Sequence, residues 1–388
     1  MHILEIPSFF PPYGGLFCLD QAKALASVGH EVRIIANVQL SVRRSVGDYI
    51  LAKTSCRPMQ TDGITVWYKQ TRGLPKLTRT NARRWVNGVQ RMFERYISVY
   101  GKPDILHAHC VKWAGYAAML IGERYGIPYI ITEHLPKMIY ADEFKGDISR
   151  LWQIPLLKEA LAKAHVVIPV ATELVDDVAC YFGKDYRRIE ISNTIDTDFF
   201  AYKERKKTKS YTFCCIADYI PRKGYDILLP AFDKFAATHP DAELLIAGRD
   251  TDGDDCLRMI KSLQCGDKVS VRGMVDKAGV RNILYQSHCL VLASRSEAQP
   301  LVLLEAMSTG IPTIATECTP QSLRIEGGCT IVPIGDTDAL QRAMSNVCEA
   351  GRPDGRALSA KVAAIASPSA VGKKITEAMS IGAKNMNK

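Results

Sequence analysis

Two carboxylates eight positions apart, Glu297 and Glu305, punctuate the stretch SRSEAQPLVLLEAMSTGIP, residues 294–312. Pro300 suits a helix start, because its missing N–H would have had no partner in the first turn. Leu301, Val302, Leu303, Leu304, Ala306 and Met307 are apolar around nearly the whole circumference, so this helix is expected to be buried. An ionised Glu305 within it costs on the order of several kcal/mol unless donors or cations meet it. One turn beyond Leu301 on the same face, Glu305 points toward the helix start, and Glu297 lies in the loop just before. Carboxylates so placed are good acceptors for the paired hydroxyls of a sugar, and the first-turn N–H groups beginning at Leu301 suit a diphosphate. The competing reading is a structural Glu305, satisfied by an arginine or by backbone.

Other residues carry compatible chemistry. Arg222 and Lys223 precede Gly224 and a helix in IADYIPRKGYDILLPAF, where an ammonium and a guanidinium fork suit a phosphate group. Gly14 and Gly15 follow the first strand in PPYGGLFCLDQAKAL, so a ligand could approach bare backbone there, ahead of the free N–H groups of a helix start. This is neither a dinucleotide fingerprint nor a P-loop, which removes support for nicotinamide and P-loop chemistry. His107 and His109 share one face at the end of the predicted strand in DILHAHCVKW, and His134 sits at the end of the next, in IITEHLPK. Three histidines at neighbouring strand ends point to a polar site. A zinc site is the competing idea, without a further ligand pattern to support it.

The elements that must position these residues alternate. Short β-rich runs, HILEIP, EVRIIA, DILHAHC, PYIITEH and HVVIPVA, are interleaved with helical patterns, which argues for a parallel sheet with helices on both faces. After a pause at NTIDTDFFAYKERKKTKS the pattern restarts with YTFCCIA, AELLIAG, KVSVRG, CLVLAS and PTIAT. The expected fold class is α/β, with two tandem Rossmann-like domains, residues 1–200 and 201–367, joined by the basic stretch around Ala201 to Ser210. Ligand is expected in a cleft between them. Residues 368–388 read as a helix, with Val371, Ile375 and Met379 on one face, expected to pack back on a domain, the N-terminal one by preference.

The 388 residues exceed what one core organises, and 47% hydrophobic with 23% charged residues is an ordinary globular balance. No apolar run approaches the ~20 residues of a membrane span, and MHILEIPSFF lacks a secretory pattern, so a cytoplasmic protein is expected. Twelve scattered cysteines without metal spacing read as reduced, packed thiols. Net charge is +9, and it is concentrated: Lys69, Arg72, Lys76, Arg79, Arg83, Arg84, Arg91 and Arg95 face Glu94 alone between Lys69 and Tyr100. Trp85, Val89, Phe93 and Tyr96 interleave at helical spacing. The two readings of this segment are a docked helix with a solvated basic face, and a surface for anionic lipid headgroups.

Taken together these residues resemble a known family. SEAQPLVLLEAMSTGIP is similar to the E-x7-E segment of the retaining family-4 glycosyltransferases of GT-B fold, and PPYGG, DILHAHC, PYIITEH, ISNTIDTDFF, PRKGYDILLPAF and GIPTIAT follow in the family's order. The resemblance implies that Glu305 binds ribose hydroxyls of a sugar nucleotide and Glu297 the donor-sugar hydroxyls. It further implies backbone contacts from Ala298, Gln299, Pro300 and Leu301, a diphosphate partner in Lys223, a donor-sugar neighbour in His109, and Gly15 beside phosphate and acceptor. Gly14, His107 and His134 are the candidate acceptor or sugar contacts. Two departures stand out. Asp218 occupies the place of the family's arginine, with Arg222 four residues on as its candidate substitute, and EAQP replaces the common EGFG.

The resemblance implies transfer of a hexose-type residue from a UDP- or GDP-type donor to a glycan or lipid-linked acceptor, with retention, no cofactor and no metal. In its opening stretch the chain is similar to bacterial enzymes of capsule, exopolysaccharide or lipopolysaccharide assembly. The expected partners are then donor, acceptor and an anionic membrane surface on the inner face of the cytoplasmic membrane, with no nucleic acid. The rivals are a GT-B-fold sugar-nucleotide epimerase, which would turn over its substrate without acceptor, and a non-catalytic anion or RNA binder using the basic segment.

Overall fold

The computed structural model describes the chain except residues 44, 136, 145–150, 206–209, 352 and 384–388, so parts of the expected linker and of the C-terminal segment lie outside the described residues. The chain divides into two units, Met1–Thr194 with Pro368–Lys388, and Ile195–Ser367. The division falls before the expected residue 200 because Ile195 and Phe200 are packed in the core of the second unit, where the Ile195 N–H also donates to the Ala366 carbonyl at 2.9 Å.

The first unit has strands β1 (His2–Pro7), β2 (Glu31–Leu40), β3 (Arg57–Thr61), β4 (Ile64–Arg72), β5 (Ile105–His109), β6 (Tyr129–Glu133) and β7 (Val166–Pro169). They lie in the order β3-β4-β2-β1-β5-β6-β7. The sheet is mixed rather than wholly parallel. β3 and β4 form an antiparallel hairpin at its edge, closed by the Asp62-Gly63 turn with both residues at positive φ. Period-2 alternation sorts the interior: Leu4, Ile35, Leu106 and Ile131 enter one core, and Ile3, Ile34, Ile105 and Ile130 the other.

The first core is covered by the helix Thr78–Tyr100, which buries Trp85, Val89, Phe93 and Tyr96 as their spacing predicts, while Arg83, Arg84, Arg91 and Arg95 stay exposed. The second is covered by the helix Leu16–Ser27 and by Pro368–Ala383, which pack on each other. Their approach is close because Gly372 has no Cβ: one would stand 2.4 Å from the Ala24 carbonyl oxygen.

The second unit has β8 (Tyr211–Ile216), β9 (Ala242–Ala247), β10 (Val269–Val271), β11 (Cys289–Leu292), β12 (Thr313–Thr316) and β13 (Cys329–Val332), all parallel, in the order β10-β9-β8-β11-β12-β13. All twelve cysteines are free. Cys214 and Cys215 are fully buried, and burial pushes their thiols up to about 12 and about 11. In each unit the strand order reverses at one place, between β1 and β5 and between β8 and β11. The loops leaving those strand ends diverge there, so each reversal is the natural ligand position of its sheet.

Candidate active site

The sequence-predicted residues gather at these two reversals. In the second unit the loop after β8 carries Arg222 and Lys223, and the loop after β11 carries Glu297. Lys223 Nζ lies 2.6 Å from Glu297 Oε1, and Arg222 Nη1 lies 3.2 Å from Oε2. Ser294 Oγ donates to Oε1 at 2.6 Å, and Arg222 also donates to the Ser296 carbonyl at 2.8 Å. Glu297 is thus held by two cations and a hydroxyl, with its side chain 7% exposed against 15% for Lys223 and 29% for Arg222.

The two loops are built to meet. Gly224 has φ 69°, and a Cβ there would stand 2.0 Å from the Ala293 carbonyl oxygen, so only glycine permits this approach. Arg295 donates its N–H to the Arg222 carbonyl at 2.8 Å and forms a fork onto Asp226, at 2.8 and 2.6 Å. Neither Ser294 nor the Arg295–Asp226 pair was singled out in the sequence. Asp226 lies in the first turn of the helix Tyr225–Thr238, and its part in the site is visible only once the loops are adjacent. Asp218, at the family's arginine position, accepts from the Arg249 N–H at 3.1 Å and so anchors the loop after β8 to the loop after β9.

The helix Leu301–Ser308 follows Gln299 and Pro300, both buried, with Ala298 half-buried ahead of them. Leu303, Leu304, Ala306 and Met307 are buried as expected. Leu301, Val302 and Glu305 are only half-buried, which corrects the expectation of a wholly buried helix. Glu305 therefore sits on its open side, beside the first turn, at a lower desolvation cost than full burial would impose.

In the first unit, His107 and His109 on β5 and Glu5 on β1 meet across the sheet reversal, fixed by the register Glu5↔His107 and Pro7↔His109. His109 Nε2 lies 3.2 Å from Glu5 Oε2, and His107 Nδ1 lies 3.3 Å from Glu5 Oε1. Cys18 donates to Glu5 Oε2 at 3.2 Å. His109 Nδ1 faces His134 Nε2 at 3.3 Å, and His107 Nε2 faces Thr132 Oγ1 at 2.7 Å. Phe17, in the first turn after Gly15, stacks on His134 with ring centroids 3.7 Å apart.

Burial disfavours the Glu5 carboxylate, but the charge of His109 and bonds from both histidines outweigh it and hold Glu5 down at about 2. Burial, aided by the charge of His109, lowers His107 to about 4 and holds His134 well below its ordinary range. His107 has no exposed surface and lies against Glu5. His109 has no exposed surface either, and His134 is 7% exposed. Glu5, His107 and His109 offer ligand atoms within 4.8 Å of one another, the composition of a metal group. Glu5 Oε2 is already shared by His109 and Cys18.

The backbone after His109 is strained. Cys110 has φ 70° and Trp113 φ 48°. Glu133 holds that turn: its carboxylate accepts from the N–H groups of Val111, His134 and Leu135 and from the Tyr140 hydroxyl, at 2.8–3.1 Å. Burial raises the Glu133 carboxyl above its ordinary range against the pull of these donors. Ser8 completes the clasp, donating its N–H to the His109 carbonyl at 3.1 Å and its hydroxyl to the Lys112 carbonyl. Gly15 packs so closely under the preceding loop that a Cβ would stand 2.0 Å from the Phe9 carbonyl oxygen, whereas Gly14 has open space around it.

Comparison with known proteins agrees with this geometry. Residues 14–199 match the model of Glycosyltransferase Family 4, and residues 196–356 that of Glycosyl transferases group 1. A relative in Arabidopsis thaliana, which is one subunit of its phosphatidylinositol N-acetylglucosaminyltransferase, is 24% identical over 353 residues, with 87% of this chain and 71% of that protein covered. The N-acetyl-alpha-D-glucosaminyl L-malate synthase of Bacillus anthracis is 26% identical over 271 residues, with 65% and 63% covered. Among solved structures, Anabaena HepE in complex with UDP superposes with a TM-score of 0.72 at 16% identity, covering 98% of this chain and all of that one. With two consecutive family matches, two doubly wound sheets and a fold shared over nearly its full length, the chain belongs to the family-4 glycosyltransferases and has the GT-B fold.

Proposed function

We propose that the protein moves a sugar from a nucleotide diphosphate sugar to a hydroxyl of a glycan or lipid-linked acceptor, with retention of configuration and without a metal, in the assembly of a bacterial surface polysaccharide. The observation that carries the reading is the Arg222–Lys223–Glu297 cluster at the β8/β11 reversal, just ahead of the N-terminus of the helix Leu301–Ser308. The donor diphosphate would take over the two cations that Glu297 now holds, releasing that carboxylate for the sugar hydroxyls. Glu305, on the open side of the same helix, would receive the ribose.

In the transfer step the acceptor oxygen bonds to the anomeric carbon as the bond to the diphosphate breaks. The departing phosphate oxygen takes the acceptor proton, giving a glycoside and a nucleoside diphosphate. Charge accumulates on the leaving group, where Lys223, Arg222 and amide dipoles would stabilise it. The uridine diphosphate in HepE and the N-acetylglucosaminyl groups in the names of two relatives make UDP-N-acetylglucosamine the first donor to try. A role at the membrane is consistent with the exposed arginines of the helix Thr78–Tyr100; among the described residues no helix is long and apolar enough to cross a bilayer.

The test is a panel of UDP and GDP sugars scored by thermal stabilisation, since a ligand that binds only the folded state raises the melting temperature. At least one should stabilise the wild type and fail to stabilise Lys223→Ala. Conversion of a donor to an epimer in the absence of any acceptor would replace this reading with that of an epimerase.

A further inference from the structure

Beside β4, with neither Glu5 nor a histidine in its lining, the first unit carries a groove of about 1060 Å³, at the upper end of ligand pockets. Phe10, Pro12 and Tyr13 of the loop after β1 contribute to its lining with Leu51, Met59 and Tyr68, and Asp48, Lys53 and Arg57 line it as well. The lip of this groove is unusually greasy. Of its lining residues Leu51 and Met59 are 79% and 47% exposed, and Val46 and Ile50, just before Leu51 in the chain, are 58% and 64% exposed. Such patches mark contact with another apolar body.

Adjoining the groove is a smaller depression of about 240 Å³, lined by Lys69, Arg72, Arg84 and Arg91 and by no acidic side chain. Thr54 and Gln70 line both, so the two form one continuous surface. Arg84, Gly88 and Arg91 follow one another along a helix face, and the missing side chain at Gly88 admits Asn37 from β2, whose Nδ2 would stand 2.7 Å from a Cβ there. β3 ends opposite Tyr68, so β4 continues from Lys69 to Arg72 without that partner. There Gln70 is fixed instead by the Lys53 backbone: its side-chain oxygen accepts from the Lys53 N–H at 2.6 Å, and its own backbone N–H donates to the Lys53 carbonyl at 2.8 Å. Arg72 is part-used by the Tyr49 and Ile50 carbonyls, whereas among the described residues Lys69, Arg84 and Arg91 form no ion pair.

We propose that this surface seats the acceptor, and that the acceptor is an amphiphile: a long hydrocarbon chain in the groove, with a phosphate or diphosphate head in the cationic depression. The assignment rests on the glycosyl-transfer reading and narrows its acceptor to a lipid phosphate. Four cations with no acidic side chain in the lining of their depression call for an anion, and the apolar side chains of the adjoining groove, with Leu51 and Met59 exposed, call for a chain attached to it.

Farnesyl diphosphate is a soluble probe, titrated calorimetrically into the full chain beside inorganic pyrophosphate. Farnesyl diphosphate should bind, and the surface variant Arg84→Glu/Arg91→Glu should weaken it by about tenfold or more, the scale of losing charge-assisted contacts. Leu51→Asp/Met59→Asp should weaken farnesyl diphosphate and leave pyrophosphate unchanged. The proposal is overturned if the arginine variant binds farnesyl diphosphate as the wild type does. It is equally overturned if pyrophosphate matches farnesyl diphosphate, which would make this a free-phosphate site, or if the chain binds only phosphatidylglycerol-containing vesicles and no monomeric probe. UDP and GDP stabilisation is read in parallel. It should persist in both variants, and its absence from the wild type would strike the donor reading rather than this one.

Discussion

Glu297 is a carboxylate with more partners than a surface residue needs, and the consequences of removing each one differ. Lys223→Ala leaves it with Arg222 and Ser294, so the fold should survive while transfer falls by about 10²–10³, the scale of deleting one preorganised stabilising group. Steady-state turnover beside a circular dichroism melt separates the two effects. Glu297→Gln should instead cost about 1–3 kcal/mol of unfolding free energy, because two partly buried cations lose their acceptor. The Glu5 cluster predicts a pH response of definite sign. His107, lowered to about 4, favours the folded state fully above its ordinary 6.5, and this is lost as pH falls toward 4. Glu5, depressed from 4.5 to about 2, adds a contribution lost between those values. Melting temperature should therefore fall progressively below pH 6.5, and His107→Gln should flatten the upper part of that fall. The sequence showed the anomaly at Glu305 and held an equal one in HILEIP, where Glu5 interrupts an apolar strand. What it did not show was the partner, since His109 lies 104 positions away and only strand register joins them.

Strands, helices and the glycines between them were legible wherever periodicity was strong. The strands flagged by β-rich runs and the basic amphipathic helix needed nothing beyond alternation and 3.6-residue spacing. The β3–β4 hairpin and β13 were not flagged. β3 is an exposed edge strand without an apolar face, and Cys329–Val332 is too short to show a period. Glycine conformation gives the sharpest test at this scale. Gly15→Ala meets both a left-handed φ of 79° and a carbonyl 2.0 Å away, while Gly14→Ala meets only a φ of 100° in open space. The second should cost about 1–3 kcal/mol and the first clearly more, compared by urea unfolding midpoints. Equal midpoints would show that the loop, and not the Phe9 carbonyl, absorbs the added methyl.

At the level of the whole chain, the C-terminal helix belongs to the unit that begins the sequence. Val371, Ile375, Ala378 and Met379 are at most 3% exposed beneath it, so ending the chain at Ser367 should destabilise the first unit by more than about 3 kcal/mol. Nucleotide-induced stabilisation of the second unit should survive, and a melt showing one weakened and one intact transition would record this. The hydrogen bond between Ile195 and Ala366 carries a further implication. It brings the entry and exit of the second unit side by side, which makes residues 195–367 an insert whose two ends already touch. Cutting out that insert and bridging Thr194 to Pro368 with a few glycines should therefore yield the first unit freestanding, and the excised piece a freestanding second unit, each open to binding studies without the other.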